Sequence, residues 1–230
     1  MGNIPKIIHQ TWKNTDIPEL YKPLIGTWKE NHTDWEYILW TDVMNRDFIE
    51  NHHPDFLSIY DNFPHNIQRV DAVRYFILYE FGGVFIDMDF ECKTNIEPLL
   101  QDSECVFGIE PDEHCKQFNK QLIICNAFMA CSPRNDFFKS INTELKSFKP
   151  GNDNVPTWQE ILGSTGPFKL TEIYNQYNHK DNIKLLPADV IYPLSVNERL
   201  ELLDGENISA EVLRRLEKAY AVHYFLASWW

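Results

Sequence analysis

The chain has 230 residues, 43% hydrophobic and 24% charged, a mix that excludes disorder and fibrous architecture and suits one large domain or two small ones. Its net charge of −13 excludes a long nucleic-acid partner, because phosphate binding through counterion release needs a basic surface. No stretch approaches the ~18 uninterrupted apolar residues of a membrane span, and the start, Met1-Gly2-Asn3-Ile4-Pro5-Lys6, has neither a signal peptide's apolar region nor the Ser or Thr that myristoylation requires at the sixth position.

The first apolar run, Lys6 to His9, predicts a buried strand, and Trp35 to Trp40 predicts a second, with a helix from about Glu19 to Glu30 between them. Asp42 is placed to cap a helix over Asn45 to Asn51. A long helix from Ile67 to Phe81 is apolar nearly all round and stops at Gly82-Gly83, after which Val84 to Asp89 reads as a strand. Further strands are expected at Cys105 to Ile109, Asn126 to Cys131, Lys184 to Leu186 and Ala219 to Phe225, with helices near Asn135 to Phe148 and Gly166 to Tyr177. Such alternation predicts one α/β domain over residues 1–230 with a mainly parallel central sheet and helices on both faces. The segment Pro150 to Pro156 is turn chemistry on the surface rather than a domain boundary. Five cysteines without a C-x-x-C pair point to reduced, buried thiols and a cytoplasmic setting; in that setting the sequons at Asn31 and Asn207 are chance matches.

Asp87 and Asp89 are the candidate site. If the strand stays extended, both carboxylates point to one side. Like charges so close raise each other's pKa unless a cation lies between them, and hard oxygen ligands suit Mg²⁺ or Mn²⁺. The end of an apolar strand is also where α/β sheets place ligands. A bare D-x-D is common, however, and two aspartates closing a strand at the surface satisfy the same pattern. The preceding helix carries Arg69, Asp71 and Arg74 among apolar neighbours, and charges in a buried helix need partners. Two accounts fit: an intrahelical Asp71–Arg74 pair, or Asp71 on a ribose with Arg74 facing phosphate or supporting the aspartates.

Taken together, Ile4 to Trp12, Asp71-Ala72-Val73-Arg74-Tyr75, Gly82 to Asp89 and the closing His223 to Trp230 resemble the glycosyltransferases with a D-x-D sugar-binding region. These include the Och1-like mannosyltransferases of family GT32 and, more distantly, the glucosyltransferase domains of clostridial toxins. The resemblance runs from residue 4 to the last residue. It implies a GT-A fold (the Rossmann-like nucleotide-diphospho-sugar transferase fold), a nucleotide-sugar donor, a divalent cation (Mn²⁺ or Mg²⁺) and transfer with retention. Carried onto this chain, Trp12 stacks on the donor base, Asp71 binds the ribose, and Arg74 lies near the sugar or phosphate. Asp87 reaches the ribose or the metal, Asp89 binds the metal, and His223 is a metal ligand or diphosphate contact. Ser228, Trp229 and Trp230 lie over the diphosphate, with Ser228 a further candidate ligand. Asn126 and the loop Gly163 to Pro167 lie near the sugar and acceptor. Plain structural readings stand beside these: Trp12 closing the first strand, His223 a core histidine, Trp229 and Trp230 a terminal aromatic plug. Phe85 departs from the pattern, since relatives often carry Tyr there, and the departure removes a hydroxyl.

The implied activity is metal-dependent, retaining transfer of a hexose from a UDP- or GDP-sugar to a glycan or glycoconjugate hydroxyl, with Asp87, Asp89 and Asn126 at the reacting centre. No carboxylate is marked as a nucleophile, which favours front-face attack. The competing expectations are a haloacid-dehalogenase-like phosphohydrolase using Asp87 and Asp89, and a catalytically silent sugar-binding module. A start so close to the first strand, where Golgi relatives carry a membrane anchor, suggests a cytoplasmic enzyme of surface-polysaccharide synthesis, peripheral at the membrane through its acceptor, or an excised catalytic domain.

Overall fold

A computed structural model describes residues 4–149, 157–205 and 208–226. The chain opens with β1 (Ile7–Trp12), α1 (Lys22–Asn31) and β2 (Glu36–Thr41), and β1 pairs with β2 in parallel. The next helix, α2 (Asp42–His52), begins earlier than the sequence suggests: Thr41, not Asp42, is its cap, and its hydroxyl accepts the Met44 N–H at 3.3 Å. Asp42 sits inside the first turn, where its charge suits the helix N-terminus. A short helix, α3 (Pro54–Asp61), follows almost without a break.

As expected, α4 (Asn66–Phe81) is buried nearly all round. It ends where Gly82 (φ +65°) and Gly83 (φ +91°) adopt backbone that side chains resist. A Cβ on Gly83 would lie 2.7 Å from the Ile7 carbonyl oxygen. This tight reversal feeds β3 (Gly83–Ile86) directly alongside β1.

The order continues with β4 (Phe90–Cys92), α5 (Glu97–Leu100), β5 (Cys105–Ile109), α6 (Asp112–Gln117), β6 (Ile124–Cys131), α7 (Asp136–Leu145), α8 (Thr157–Ser164), α9 (Pro167–Gln176), β7 (Lys184–Leu186), α10 (Ala188–Ile191), α11 (Val196–Asp204), α12 (Ala210–Lys218) and β8 (Ala221–His223). The main sheet has the order β2-β1-β3-β6-β5-β7, and β4 pairs with β8 in a separate ribbon. β6 is antiparallel to both its neighbours, while the other pairings are parallel, so every other strand of the sheet points the same way.

Each face of the sheet is covered. Phe85, Phe107 and Met129 face α4, α7 and α9, while Ile8, Val84, Ile86 and Val106 face Trp28 of α1 and Tyr192 after α10. Burial of these aromatic and branched side chains supplies the main driving force for closing the two layers. Register between β5 and β6 breaks once: Phe107 pairs with Met129, yet the adjacent Gly108 pairs with Cys125. Residues 126 to 128 therefore leave the β5 ladder together, an irregularity of the kind that re-aims side chains beside active sites.

Candidate active site

The sequence reading had Asp87 and Asp89 on one extended strand. The structure corrects this: β3 stops at Ile86, and Asp87 to Asp89 form a turn into β4. The turn separates the two side chains. Asp87 faces α4, where its carboxylate pairs with Arg74 Nη1 at 3.1 Å. Asp89 turns towards the ribbon, where its Oδ1 lies 3.0 Å from His223 Nε2 and its Oδ2 accepts the Leu226 N–H at 2.8 Å. Their ligand atoms still converge, because one atom each from Asp87, Asp89 and His223 fall within 4.8 Å of one another.

Arg74 is buried at 3% exposure and spends its donors inside the protein. Nη2 pairs with Asp71 at 3.1 Å, Nη1 also reaches the Asn126 carbonyl at 3.0 Å, and Nε reaches the Val70 carbonyl at 3.3 Å. Its guanidinium lies 4.5 Å from the centre of the Phe85 ring, a cation–π contact that Phe85 supplies without the missing hydroxyl. Both sequence-level accounts of Arg74 are thus present at once, the intrahelical pair and the support of the aspartates. Asp71 completes the network: Oδ1 accepts from Asn126 Nδ2 at 3.0 Å and Oδ2 from the Thr165 hydroxyl at 3.3 Å. The irregularity in β6 makes this possible, since it turns the Asn126 amide to α4; on the other edge of β6 the Ala127 carbonyl continues the β3 register and accepts the Asp87 N–H at 2.9 Å.

Burial raises the Asp71 carboxyl above its ordinary range, against the pull of Arg74. Burial also pushes Asp87 up, to about 6, opposed by Arg74 and reinforced by Asp89. Asp89 goes the other way, since the His223 charge and hydrogen bond outweigh its burial. His223 is raised in turn: burial opposes its protonation, but Asp89 and Asp87 more than compensate. Its Nδ1 is buried without a partner, and its ring stacks on Phe90 at 4.5 Å. Two carboxylates and an imidazole form a donor set that fits a divalent cation such as Mn²⁺, and a cation there would offset both the burial that lifts Asp87 and the Asp89 charge that adds to it.

Trp12 stands at the carboxyl end of β1, half-buried, 5.1 Å from the Tyr21 ring and packed with Met88 of the turn. Its indole N–H is buried and unpaired, so the residue is both part of the packing and next to the aspartates. Ser228, Trp229 and Trp230 lie outside the described residues. Of the loop Gly163 to Pro167, Thr165 holds Asp71 and accepts the Tyr75 hydroxyl on its carbonyl at 2.9 Å, and Ser164 accepts from Gln68 at 2.8 Å. Sequence reasoning missed the roles of Thr165, Gln68 and Gln10. Gln10 is fully buried and donates to the Asp87 carbonyl at 3.2 Å. An amide inside a short strand whose burial is nearly complete was the available signal for it.

The model of the glycosyltransferase sugar-binding region containing a DXD motif matches residues 18–106, a span that includes α4 and the aspartate turn. The chain belongs to this glycosyltransferase family. Mannosyl phosphorylinositol ceramide synthase SUR1 of Saccharomyces cerevisiae is 40% identical over 176 residues, covering 76% of this chain and 42% of that protein. Inositol phosphoceramide mannosyltransferase 2 of Schizosaccharomyces pombe is 36% identical over 177 residues, covering 77% and 48%. The chain thus spans about half the length of these relatives. Among solved structures, the PaToxG glycosyltransferase superposes with a TM-score of 0.61 at 15% identity over 96% of this chain and 90% of that one. The ligand-free glycosyltransferase domain of the YGT toxin gives 0.54 at 10% identity, with 81% of each covered. These likenesses establish the GT-A fold. With family and fold in place, the aspartate pair belongs to a glycosyltransferase rather than to a dehalogenase-like phosphohydrolase.

Proposed function

We propose that this glycosyltransferase moves a hexose from a UDP- or GDP-sugar to a hydroxyl of a glycan or glycoconjugate, with metal assistance and retention of configuration. The observation that carries the reading is the convergence of Asp87, Asp89 and His223 at the carboxyl ends of the parallel strands, where GT-A relatives carry their D-x-D region. Asp87, Asp89 and His223 would hold Mn²⁺ or Mg²⁺, which supplies positive charge against the charge growing on a departing diphosphate. Trp12 offers a ring face and an unpaired indole N–H to the donor. Asp71 and Asn126, held by Arg74 and Thr165, orient the ribose and sugar hydroxyls. Front-face attack is supported by the state of Asp71, whose oxygens already serve Arg74, Asn126 and Thr165. Trapping a glycosyl adduct on Asp71 would overturn that part of the reading.

The names of the relatives favour mannose as the sugar to try first and an inositol-phosphate glycolipid as the first acceptor. The five cysteines are all free and buried, which supports a reducing, cytoplasmic setting for the folded domain. Among the described residues no helix is long and apolar enough to cross a membrane.

The test is release of nucleoside diphosphate from a panel of UDP- and GDP-sugars, with Mn²⁺ and with chelator, for the wild type and Asp89→Asn. Metal-dependent turnover of one donor, lost in the variant, is the expected result. A folded, metal-supplied protein that neither binds nor turns over any donor overturns the transferase reading in favour of a silent relative.

A further inference from the structure

β3 runs beside β1 for only two paired positions, Ile8 with Val84 and His9 with Phe85, before the chain leaves the sheet for the aspartate turn. Asp87 lies just past the end of β3, and a carbonyl there that is withdrawn from water without a donor costs free energy. Gln10, the next residue on β1, supplies the missing donor from its side chain: Nε2 donates to the Asp87 carbonyl at 3.2 Å. The other end of the amide is anchored by Tyr37 of β2, whose hydroxyl donates to Gln10 Oε1 at 2.8 Å. Rotating the amide by half a turn would aim oxygen at oxygen on the Asp87 side, so the Asp87 carbonyl fixes which end of Gln10 faces the turn, and the Tyr37 hydroxyl holds the side chain in reach of it. Tyr37 is itself held, with Lys29 Nζ 4.0 Å above its ring. The backbone of Asp87 is therefore held from both neighbouring strands, its N–H by Ala127 of β6 and its carbonyl by Gln10 of β1.

We propose that Gln10, anchored by the Tyr37 hydroxyl, is a positioning residue that fixes the Asp87-Met88-Asp89 turn in the shape that brings its carboxylates to the cation. The inference rests on the metal-assisted reading above. Both residues act through the Asp87 backbone. Partners of this kind typically change metal affinity about 10–100-fold when removed.

The experiment compares wild type, Gln10→Met and Tyr37→Phe. Tyr37→Phe removes only a hydroxyl, so it keeps the packing if Gln10→Met does not. Affinity for Mn²⁺ alone is read from the free-ion electron paramagnetic resonance signal, and hydrogen–deuterium exchange over residues 84–90 is read in the metal-free protein. The expected result is Mn²⁺ binding at least tenfold weaker in both variants, with faster exchange confined to the turn. Variants that bind Mn²⁺ within twofold of wild type, or that exchange faster uniformly along the chain, overturn the positioning role. Failure of the wild type to bind Mn²⁺ defeats the metal reading instead. The exchange measurement then still decides: faster exchange confined to residues 84–90 supports the positioning of the turn, and unchanged exchange there overturns it.

Discussion

Acid should destabilise this fold through one buried histidine inside β1. His9 on β1 is fully buried. Its Nε2–H donates to the Gly82 carbonyl at 2.9 Å, and its Nδ1 accepts the Trp40 indole N–H at 3.1 Å. Both nitrogens are satisfied only in the neutral ring, because a second proton on Nδ1 would face the Trp40 N–H. Burial accordingly lowers its pKa to about 4, the Gly82 bond opposing only in part. Unfolded, the ring titrates near 6.5, so the unfolded chain takes up the proton first. The His9 contribution is therefore present above about pH 6.5 and is lost as pH falls from there towards 4. At pH 5 the loss comes to about 2 kcal/mol, rising to about 3 kcal/mol below pH 4. Urea unfolding with chelator at pH 7.5 and pH 5, for wild type and His9→Gln, measures it. Gln keeps a donor and an acceptor but does not titrate, so histidines common to both proteins, such as His32 and His53, cancel. Wild type should lose about 2 kcal/mol more than the variant between the two pH values. Equal losses would refute the assignment of the acid sensitivity to His9.

Three further outcomes are expected. Arg74→Met strands Asp71 and Asp87 without their shared cation and should cost about 3–5 kcal/mol in urea unfolding, whereas Asp71→Asn combined with it should cost less than the sum of the two. Gly83→Ala should destabilise by at least about 1–3 kcal/mol for its backbone conformation alone, with more from the 2.7 Å approach to Ile7, seen as a lower urea midpoint at unchanged slope. Mn²⁺ at about 100 times its dissociation constant should raise the melting temperature by roughly 5–10 °C, with the shift reversed by chelator and absent in Asp89→Asn.

Much of the sheet was legible because its strands are short apolar runs between helices with clear stops. The long α4 closing at Gly82-Gly83 emerged within a residue of its true bounds. Elements whose patterns are weak escaped. α3 begins at Pro54 directly after α2, with no polar spacer to announce it. α11 and α12 are dominated by charged residues and were passed over. The aspartate pair was found for a sound reason and a wrong geometry: alternation along a strand assumes extension, and nothing local to Asp87-Met88-Asp89 marks where pairing to β1 ends. The register break that aims Asn126 depends on how β5 lies against β6, which a single strand's composition does not encode. The resemblance to a family supplied His223, since one histidine in an apolar strand says nothing of a partner in distant sequence.

That distance has a consequence for how the enzyme comes into being. The Asp89–His223 contact joins residues 134 positions apart, and the short ribbon of β4 with β8 depends on the same late segment. On the ribosome, β1 to β6 can be collected into a sheet while β8 is still unmade, so the growing chain acquires its Asp71–Arg74–Asp87 network well before it acquires His223. On the metal-assisted function proposed above, affinity for the cation should then arrive as a late event of synthesis, and nascent chains stalled before β8 should be folded in their first half yet bind neither cation nor nucleotide sugar.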